Sequence, residues 1–297
     1  MNAKENDLIT IVTVTDKHYL ILLAALIKSI EENHNSHETI DIHVVANGVP
    51  HNDRSKLNDS ICKSSIRIIW HEMNNVLPKS IKVPNDKSSY PSNIYLRLFF
   101  PWFISREVTK VLYLDCDMIV LEDISKLFQT DLKGFPLGAV MDPKIRTFNN
   151  NWGGITNYEK LGLRGESLYF NSGLLLIDCI QWRELDLTQK VIDCATSNRS
   201  YLNYPDQYGL NVILADNWMQ LDSRWNAFSV INNTLQPFLI HFTERKPIYR
   251  SYCDNQTYQQ EFLYYLKKTR WANFKPISEF KRLAKKALNI LSKYRIR

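Results

Sequence analysis

An apolar run in the segment VLYLDCDMIVLEDISKLF ends in Asp115-Cys116-Asp117. Two carboxylates one residue apart at the mouth of a buried strand can grip one divalent cation and face a phosphate together. Oxygen ligands of this type suit Mg²⁺ or Mn²⁺, ions that dehydrate only in part and bridge a protein carboxylate to phosphate. A lone Asp-x-Asp after a strand is equally compatible with a turn cap, so the surrounding elements must decide. In an open parallel sheet, ligands bind beyond the carboxyl ends of the strands, and Asp115 and Asp117 follow the apolar segment Lys110 to Leu114 at such an end.

The elements that would position this pair are legible from hydrophobic patterning. Leu8 to Thr15 (LITIVTVT) is β-branched and apolar, and Tyr19 to Asn33 follows with helical composition. A second pair reads as Ile40 to Ala46, then His51 to Lys63, with a third strand at Ile66 to Trp70. Such alternation implies a mostly parallel, Rossmann-like central sheet flanked by helices, an α/β fold. Pro78 to Ser92 reads as a loop, and Asn93 to Ile104 (NIYLRLFFPWFI) as a buried helix. A further strand ends at Asp142 in PLGAVMD, and Lys144 to Ser167 forms a long polar, Gly-bearing loop, a feature more often functional than accidental. Leu168 to Asp178 (LYFNSGLLLID) predicts a strand with an irregularity at Gly173, Trp182 to Thr196 a helix, and Pro205-Asp206 the start of another.

The chain has 297 residues, 44% of them hydrophobic and 12% aromatic, enough to bury a large core. Its five cysteines are scattered with no CxxC pair, which argues against a disulfide framework or a zinc site and fits a reducing cytosol. The polar N-terminus MNAKENDLIT carries no secretory signal pattern, and no apolar run approaches the ~20 residues of a membrane span. The expected location is cytoplasmic. The net charge of +6 hides an asymmetry: residues 267–297 hold eleven Lys/Arg and one acid, Glu279, a net +10, whereas residues 1–266 hold 26 basic and 30 acidic side chains, a net −4. From Phe280 to Tyr294, apolar residues recur at helical spacing with lysines and arginines on the other faces. A basic amphipathic helix containing Trp271, Phe274 and Phe280 fits a peripheral contact with anionic lipid at the inner face of the membrane. Nucleic acid is excluded as a partner because the basic character does not continue into the rest of the chain.

The segments IVTVTDKHY, YLDCDMIVLEDISKLF, FNSGLLLID, PDQYGLN and HFTERKP occur in the order and approximate spacing of the family 8 glycosyltransferases, and the chain resembles that family from Ile11 to Pro247. The resemblance implies a GT-A type fold, with residues 1–266 as the catalytic domain (1–120 the nucleotide-binding half, 121–266 the sugar and acceptor half) and 267–297 as a helical appendage. It implies a retaining, metal-dependent hexosyltransferase that takes a UDP-sugar, UDP-galactose or UDP-glucose, as donor. The acceptor would be a glycan, whether lipid-linked, polysaccharide or glycoprotein.

Carried over position by position, the resemblance makes Asp16 and Tyr19 the residues that hold uracil and ribose, a role for which an aromatic face is physically suited. Asp115 and Asp117, with Cys116 between them, become the metal-binding pair, and His241, which by itself reads as a core histidine of FLIHF, becomes the third ligand. A nitrogen donor beside two carboxylates favours Mn²⁺ over Mg²⁺. Lys246 would meet the diphosphate. Arg97, in the apolar run IYLRLFF, would lie near the donor sugar; an arginine there also needs a partner, and Asp115 is the expected one. Asn171, Ser172, Asp206 and Gln207 would hydrogen-bond the transferred hexose and flank its anomeric carbon, with Asp142 contacting donor or acceptor sugar. Gln207 is too poor a nucleophile for an easy covalent intermediate. The loop HFTERKP departs from the family pattern: Glu244 stands where glycine is common, the loop is one residue shorter, and Ile248 replaces a tryptophan.

Two other readings compete. A haloacid-dehalogenase-type phosphatase also places Asp-x-Asp after an apolar strand, but there the motif opens the domain and Thr or Val usually occupies the position held here by Ile119. A UDP-binding protein that has lost turnover is the other alternative, kept open by the altered HFTERKP loop.

Overall fold

The computed structural model describes residues 7–78, 81, 84, 92–232 and 234–284. Ten strands are present among these residues: β1 (Leu8–Asp16), β2 (Thr39–Asn47), β3 (Ile66–Glu72), β4 (Lys110–Leu114), β5 (Met118–Val120), β6 (Leu137–Met141), β7 (Phe170–Asp178), β8 (Met219–Gln220), β9 (Ala227–Phe228) and β10 (Leu239–His241). The helices are α1 (Leu20–Asn33), α2 (His51–Asn58), α3 (Met73–Val76), α4 (Ile124–Phe128), α5 (Cys179–Glu184), α6 (Leu187–Ser197), α7 (Pro205–Ile213) and α8 (Gln256–Lys267).

Seven strands form one sheet in the order β3-β2-β1-β4-β7-β6-β8. The first four and the β6–β8 pair run parallel, and β7 is antiparallel to both of its neighbours. The fold is therefore the mixed α/β, mostly parallel arrangement expected from the sequence. Its central strands are buried on both faces, which is why β1 and β4 read as nearly continuous apolar runs. Helix α1 is apolar almost all round because two cores claim it: Leu23, Ala24 and Ile27 pack on the sheet, while Ile21, Leu22 and Ala25 meet β10 and α8.

Two irregularities shape the site. On β6 the pairing with β7 jumps from Ala139↔Leu175 to Val140↔Asn171, so Ser172, Gly173 and Leu174 bulge on that side at the position flagged in the sequence. The second is a small sheet of β5, β10 and β9, in which antiparallel pairing sets His241 opposite Met118, next to Asp117.

Three expectations are revised. The predicted helix at 93–104 is a 3₁₀ segment, Ser92–Trp102, with Pro101 inside it; proline removes an N–H and disfavours α geometry in the residue before it. The helix predicted from Trp182 to Thr196 is two, α5 and α6, broken where Asp186 takes a left-handed backbone (φ 50°). The helix from His51 stops at Asn58, since the chain turns through Asp59 and Ser60.

The C-terminal segment does not stand apart. Trp271 and Phe274 pack against the core between α1 and α8, and Ile277 bridges to Tyr249, so these two aromatic rings do not form a free interfacial face. Phe280 and Leu283, 81% and 53% exposed, do point outward. The rest of the predicted amphipathic stripe, beyond residue 284, lies outside the described residues.

Candidate functional site

The polar residues singled out by sequence converge at the carboxyl ends of β1 and β4, the bulge of β7, the start of α7 and the end of β10. Asp115 follows β4 directly, and its N–H donates to Gly173 O, 2.8 Å away, which ties the Asp-x-Asp turn to the bulge. One oxygen of Asp115, Oδ1, accepts from Tyr113 Oη (2.7 Å) and from Arg97 Nη2 (3.0 Å). The other, Oδ2, faces His241 Nε2 at 3.8 Å. Asp117 is divided in the same way: Oδ2 pairs with Lys246 Nζ at 2.6 Å, while Oδ1 faces His241 Nε2 at 3.4 Å.

This arrangement fits a divalent cation. Asp115, Asp117 and His241 each offer a ligand atom, all within 4.8 Å of one another. Ligands held about 2.1 Å from an ion lie at most about 4.2 Å apart, so a sub-ångström closure completes the set. Asp117 Oδ1 is buried without a hydrogen-bond partner, an omission that costs about 1–3 kcal/mol unless something else meets that oxygen. Burial opposes ionisation of Asp117, but the Lys246 ammonium outweighs it and holds the carboxyl below its ordinary range. His241 Nδ1 is 2.9 Å from Asn226 Oδ1, an acceptor that assigns the ring proton to Nδ1 and leaves the Nε2 lone pair aimed at the two carboxylates.

Gly173 makes this approach possible. A Cβ at that position would lie 2.4 Å from His241 Cε1 and 2.9 Å from both Asp115 Oδ2 and Asn171 Oδ1. Only glycine lets the imidazole, the carboxylate and the bulge share that space.

From His241 a chain of amides runs to α7. Asn226 Nδ2 donates to Asn171 Oδ1 (3.0 Å), Asn171 Nδ2 to Gln207 Oε1 (3.1 Å), and Gln207 Nε2 to Tyr169 Oη (3.3 Å). Gln207 Oε1 also accepts from Ser172 N at 2.8 Å. Asp142, 4% exposed, accepts from the backbone N–H groups of Lys144 and Ile145, and burial pushes its carboxyl up.

Arg97 is 7% exposed, and its guanidinium is fully committed within the protein. Besides Asp115 it meets Asp206 Oδ2 at 2.9 Å and Ser172 O at 2.5 Å, and it stacks over the Tyr113 ring. The expected partner, Asp115, is present, and Asp206 is a second. Burial works against the charge of Arg97, yet the two carboxylates more than restore it. Asp206 itself is pushed up by burial, with Arg97 opposing.

On the other side of the acidic turn, Asp16 Oδ1 accepts from Tyr19 N at 2.8 Å and shapes the turn from β1 into α1. The Tyr19 phenol is pushed up by burial and then by the nearby Tyr249 and Asp117. His18 Nε2 contacts Tyr249 Oη at 2.7 Å, which joins this corner to the chain after β10. Cys116 is partly buried against the sheet-side core, and desolvation pushes its thiol well up. In the unusual loop, Glu244 pairs with Lys144, and Ile248 is fully buried.

Asn226, Tyr113, Tyr169 and Tyr249 also belong to this cluster and were not singled out by sequence. Asn226 lies in a four-residue 3₁₀ turn, Ser223–Asn226, with no periodicity to announce it.

Comparison with known proteins bears on family and fold. The model for Glycosyl transferase family 8 matches residues 10–250. General stress protein A of Bacillus subtilis is 26% identical over 90% of this chain and 96% of its own length. Glycosyltransferase GlyA of Streptococcus pneumoniae is 27% identical over 88% of this chain, which spans only 35% of that longer protein. The crystal structure of galactosyltransferase LgtC, in complex with donor and acceptor sugar analogues, superposes with a TM-score of 0.70 at 24% identity, covering 92% of this chain and 99% of LgtC, and places the fold in the GT-A class.

Proposed function

The chain belongs to glycosyl transferase family 8, and on that premise we propose that it transfers a hexose, galactose or glucose, from a UDP-sugar to a glycan acceptor with retention of anomeric configuration, with the help of a divalent cation, Mn²⁺ before Mg²⁺. The observation that carries this reading is the division of both carboxylates. Each spends one oxygen on an internal cation and turns the other toward the free nitrogen of His241.

Asp115, Asp117 and His241 would hold the ion, which when bound compensates the negative charge of departing UDP. Tyr19 and Asp16 place the nucleoside beyond β1. Lys246 turns from Asp117 onto the diphosphate, where a preorganised positive charge lowers the barrier to its departure. Arg97 acts as a positioning residue beside the donor sugar: it fixes Asp115 and Asp206, and so the start of α7. Asn171, Ser172, Asp206 and Gln207 surround the hexose. Gln207 Oε1 is occupied by donors from Asn171 and Ser172 and belongs to a neutral amide, which argues against covalent attack on the anomeric carbon. Retention then follows from front-face attack through a short-lived oxocarbenium ion pair, with a departing phosphate oxygen accepting the acceptor's proton.

A peripheral membrane contact through residues 267–297 is part of the same proposal, supported by exposed Phe280 and Leu283 beside Lys281 and Arg282. Among the described residues no helix is long and apolar enough to cross a membrane. A Phe280→Ser, Leu283→Ser double variant that sediments undiminished with anionic liposomes would remove the contact.

The enzymatic reading is tested by incubating the chain with UDP-galactose, UDP-glucose and GDP-sugars with and without Mn²⁺. Release of UDP from one UDP-hexose, lost in EDTA and regained with Mn²⁺, is expected. Full activity in EDTA would take the metal out of the account, and UDP binding by calorimetry without any turnover would leave a binding protein in place of an enzyme.

A further inference from the structure

Trp152 is 59% exposed, yet it stands on a rigid support at the edge of the site. Asn150 Oδ1 accepts from the backbone N–H of both Trp152 (3.0 Å) and Gly153 (3.3 Å). A Cβ on Gly154 would lie 2.1 Å from Phe148 O, so the turn is packed as tightly as backbone allows. Beneath it, Ile145, Phe148, Ile155, Tyr169 and Tyr208 form a separate small core. A lone exposed hydrophobe on a loose loop needs no explanation; a large indole presented by so constrained a turn does.

Its location supplies one. Lys144 Nζ lies 5.4 Å over the indole, and the Lys144 N–H donates to Asp142 Oδ1. The ring centroid is 6.3 Å from that of Tyr204, just before α7. Trp152 thus borders the β6 and α7 side of the Asn171–Gln207 cluster, whereas Tyr19 and Asp16, assigned to the nucleoside, lie beyond β1 on the opposite side of β4. Lys144 also pairs with Glu244 and so connects this turn to the loop that carries Lys246.

We infer that Trp152 is the wall of an acceptor subsite, where the indole stacks on the apolar C–H face of a hexopyranose and the Lys144–Glu244 pair meets its hydroxyls. A flat aromatic surface with a few polar groups beside it is the chemistry that receives a pyranose, which is apolar on its faces and polar at its rim. The inference rests on the transferase reading for its substrate class and names the acceptor as a hexopyranoside.

The test uses the full chain with UDP and Mn²⁺, and methyl β-D-galactopyranoside and methyl β-D-glucopyranoside as probes in saturation-transfer difference NMR. Ring C–H signals are expected with the native chain and with Trp152→Phe, and a loss of about tenfold with Trp152→Ala. In transfer assays the glycoside KM should rise about tenfold in Trp152→Ala while the UDP-sugar KM moves by less than about twofold. No saturation of either glycoside by the native chain, equal signals in Trp152→Ala, or a parallel rise in both KM values would overturn the inference. Trp152-dependent glycoside binding in a chain that cleaves no UDP-sugar would support the subsite and defeat the transferase reading instead.

Discussion

Replacing Gly173 by alanine adds one methyl group at the centre of the proposed metal site. That carbon would lie 2.4 Å from His241 Cε1 and 2.9 Å from Asp115 Oδ2. Non-bonded carbons settle at about 3.5–4.0 Å, so the imidazole must retreat by about 1 Å or the bulge must open. Neither is easy: His241 is 4% exposed, pinned at Nδ1 by Asn226 and edge-on to Phe228, and Gly173 O is held by Asp115 N. Ligand distances tolerate about 0.2 Å, so a 1 Å retreat removes His241 from the coordination set. Loss of a ligand's alignment costs about 10–100-fold in metal affinity, and misplacement of this size costs about 10²-fold in rate. Overpacking should also cost about 1–3 kcal/mol of stability, so thermal unfolding is recorded alongside. The assay is Mn²⁺ titration of UDP-sugar cleavage, with free Mn²⁺ followed by EPR. A folded Gly173→Ala chain that binds Mn²⁺ and cleaves donor within about twofold of the native chain would refute the geometry of the site.

Three further outcomes are expected. Asn226→Ala should weaken Mn²⁺ binding about 10–100-fold with little change in melting temperature, because it removes the acceptor that orients His241; equal affinity would show that the ring needs no such partner. Arg97→Met should destabilise the chain by about 3 kcal/mol in urea denaturation, since Asp115 and Asp206 lose their shared buried counterion; an unchanged midpoint would contradict this. His43 is pushed down to about 4 by burial and by His71, whose ring nitrogen lies 2.9 Å away. The unfolded chain therefore binds this proton more readily than the folded one. Stability is complete above the ordinary histidine range and falls as pH drops from about 6.5 toward 4, by about 1–2 kcal/mol after allowance for the exposed part of the ring. Comparison of unfolding between pH 7 and 4.5 in the native chain and in His43→Phe checks this, and identical slopes would refute it.

The parts of the site that were legible in the sequence are those carried by a local pattern. Asp115 and Asp117 close an apolar strand, Gly173 interrupts another, and Asp206 stands beside a helix-starting proline, so each sits in a short segment whose physics can be read alone. His241 is different. Its segment reads as core, and it is a candidate ligand in the sequence only through the family resemblance; the β10–β5 pairing that brings it to the acidic turn is a contact that no local periodicity encodes. Asn226 is hidden for the same reason, in a short turn that matters through its partners. Glu244 looked like a defect in the loop, but it has a counterpart in Lys144, a hundred residues earlier. The single helix expected after Trp182 failed at Asp186 because apolar spacing continued through a break that only the backbone reveals.

Charge bookkeeping unites these pieces. Asp115, Asp117 and Asp206 are answered within the protein by Arg97 and Lys246, which leaves one carboxylate's charge uncompensated at the mouth of the sheet. A buried site with that residue of negative charge attracts a cation and repels a nucleoside diphosphate. On the proposed reading, a divalent ion held there would reverse the balance, and the same site would favour the diphosphate. Arg97 is bound by two carboxylates and a backbone carbonyl through a buried, planar fork, whereas Lys246 reaches Asp117 and the Phe242 carbonyl from the end of a flexible stem. On the proposed reading the two internal cations divide the labour: a fork-shaped guanidinium, rigid and buried, fixes the geometry of the acidic turn, and a single ammonium would exchange its carboxylate and carbonyl partners for phosphate.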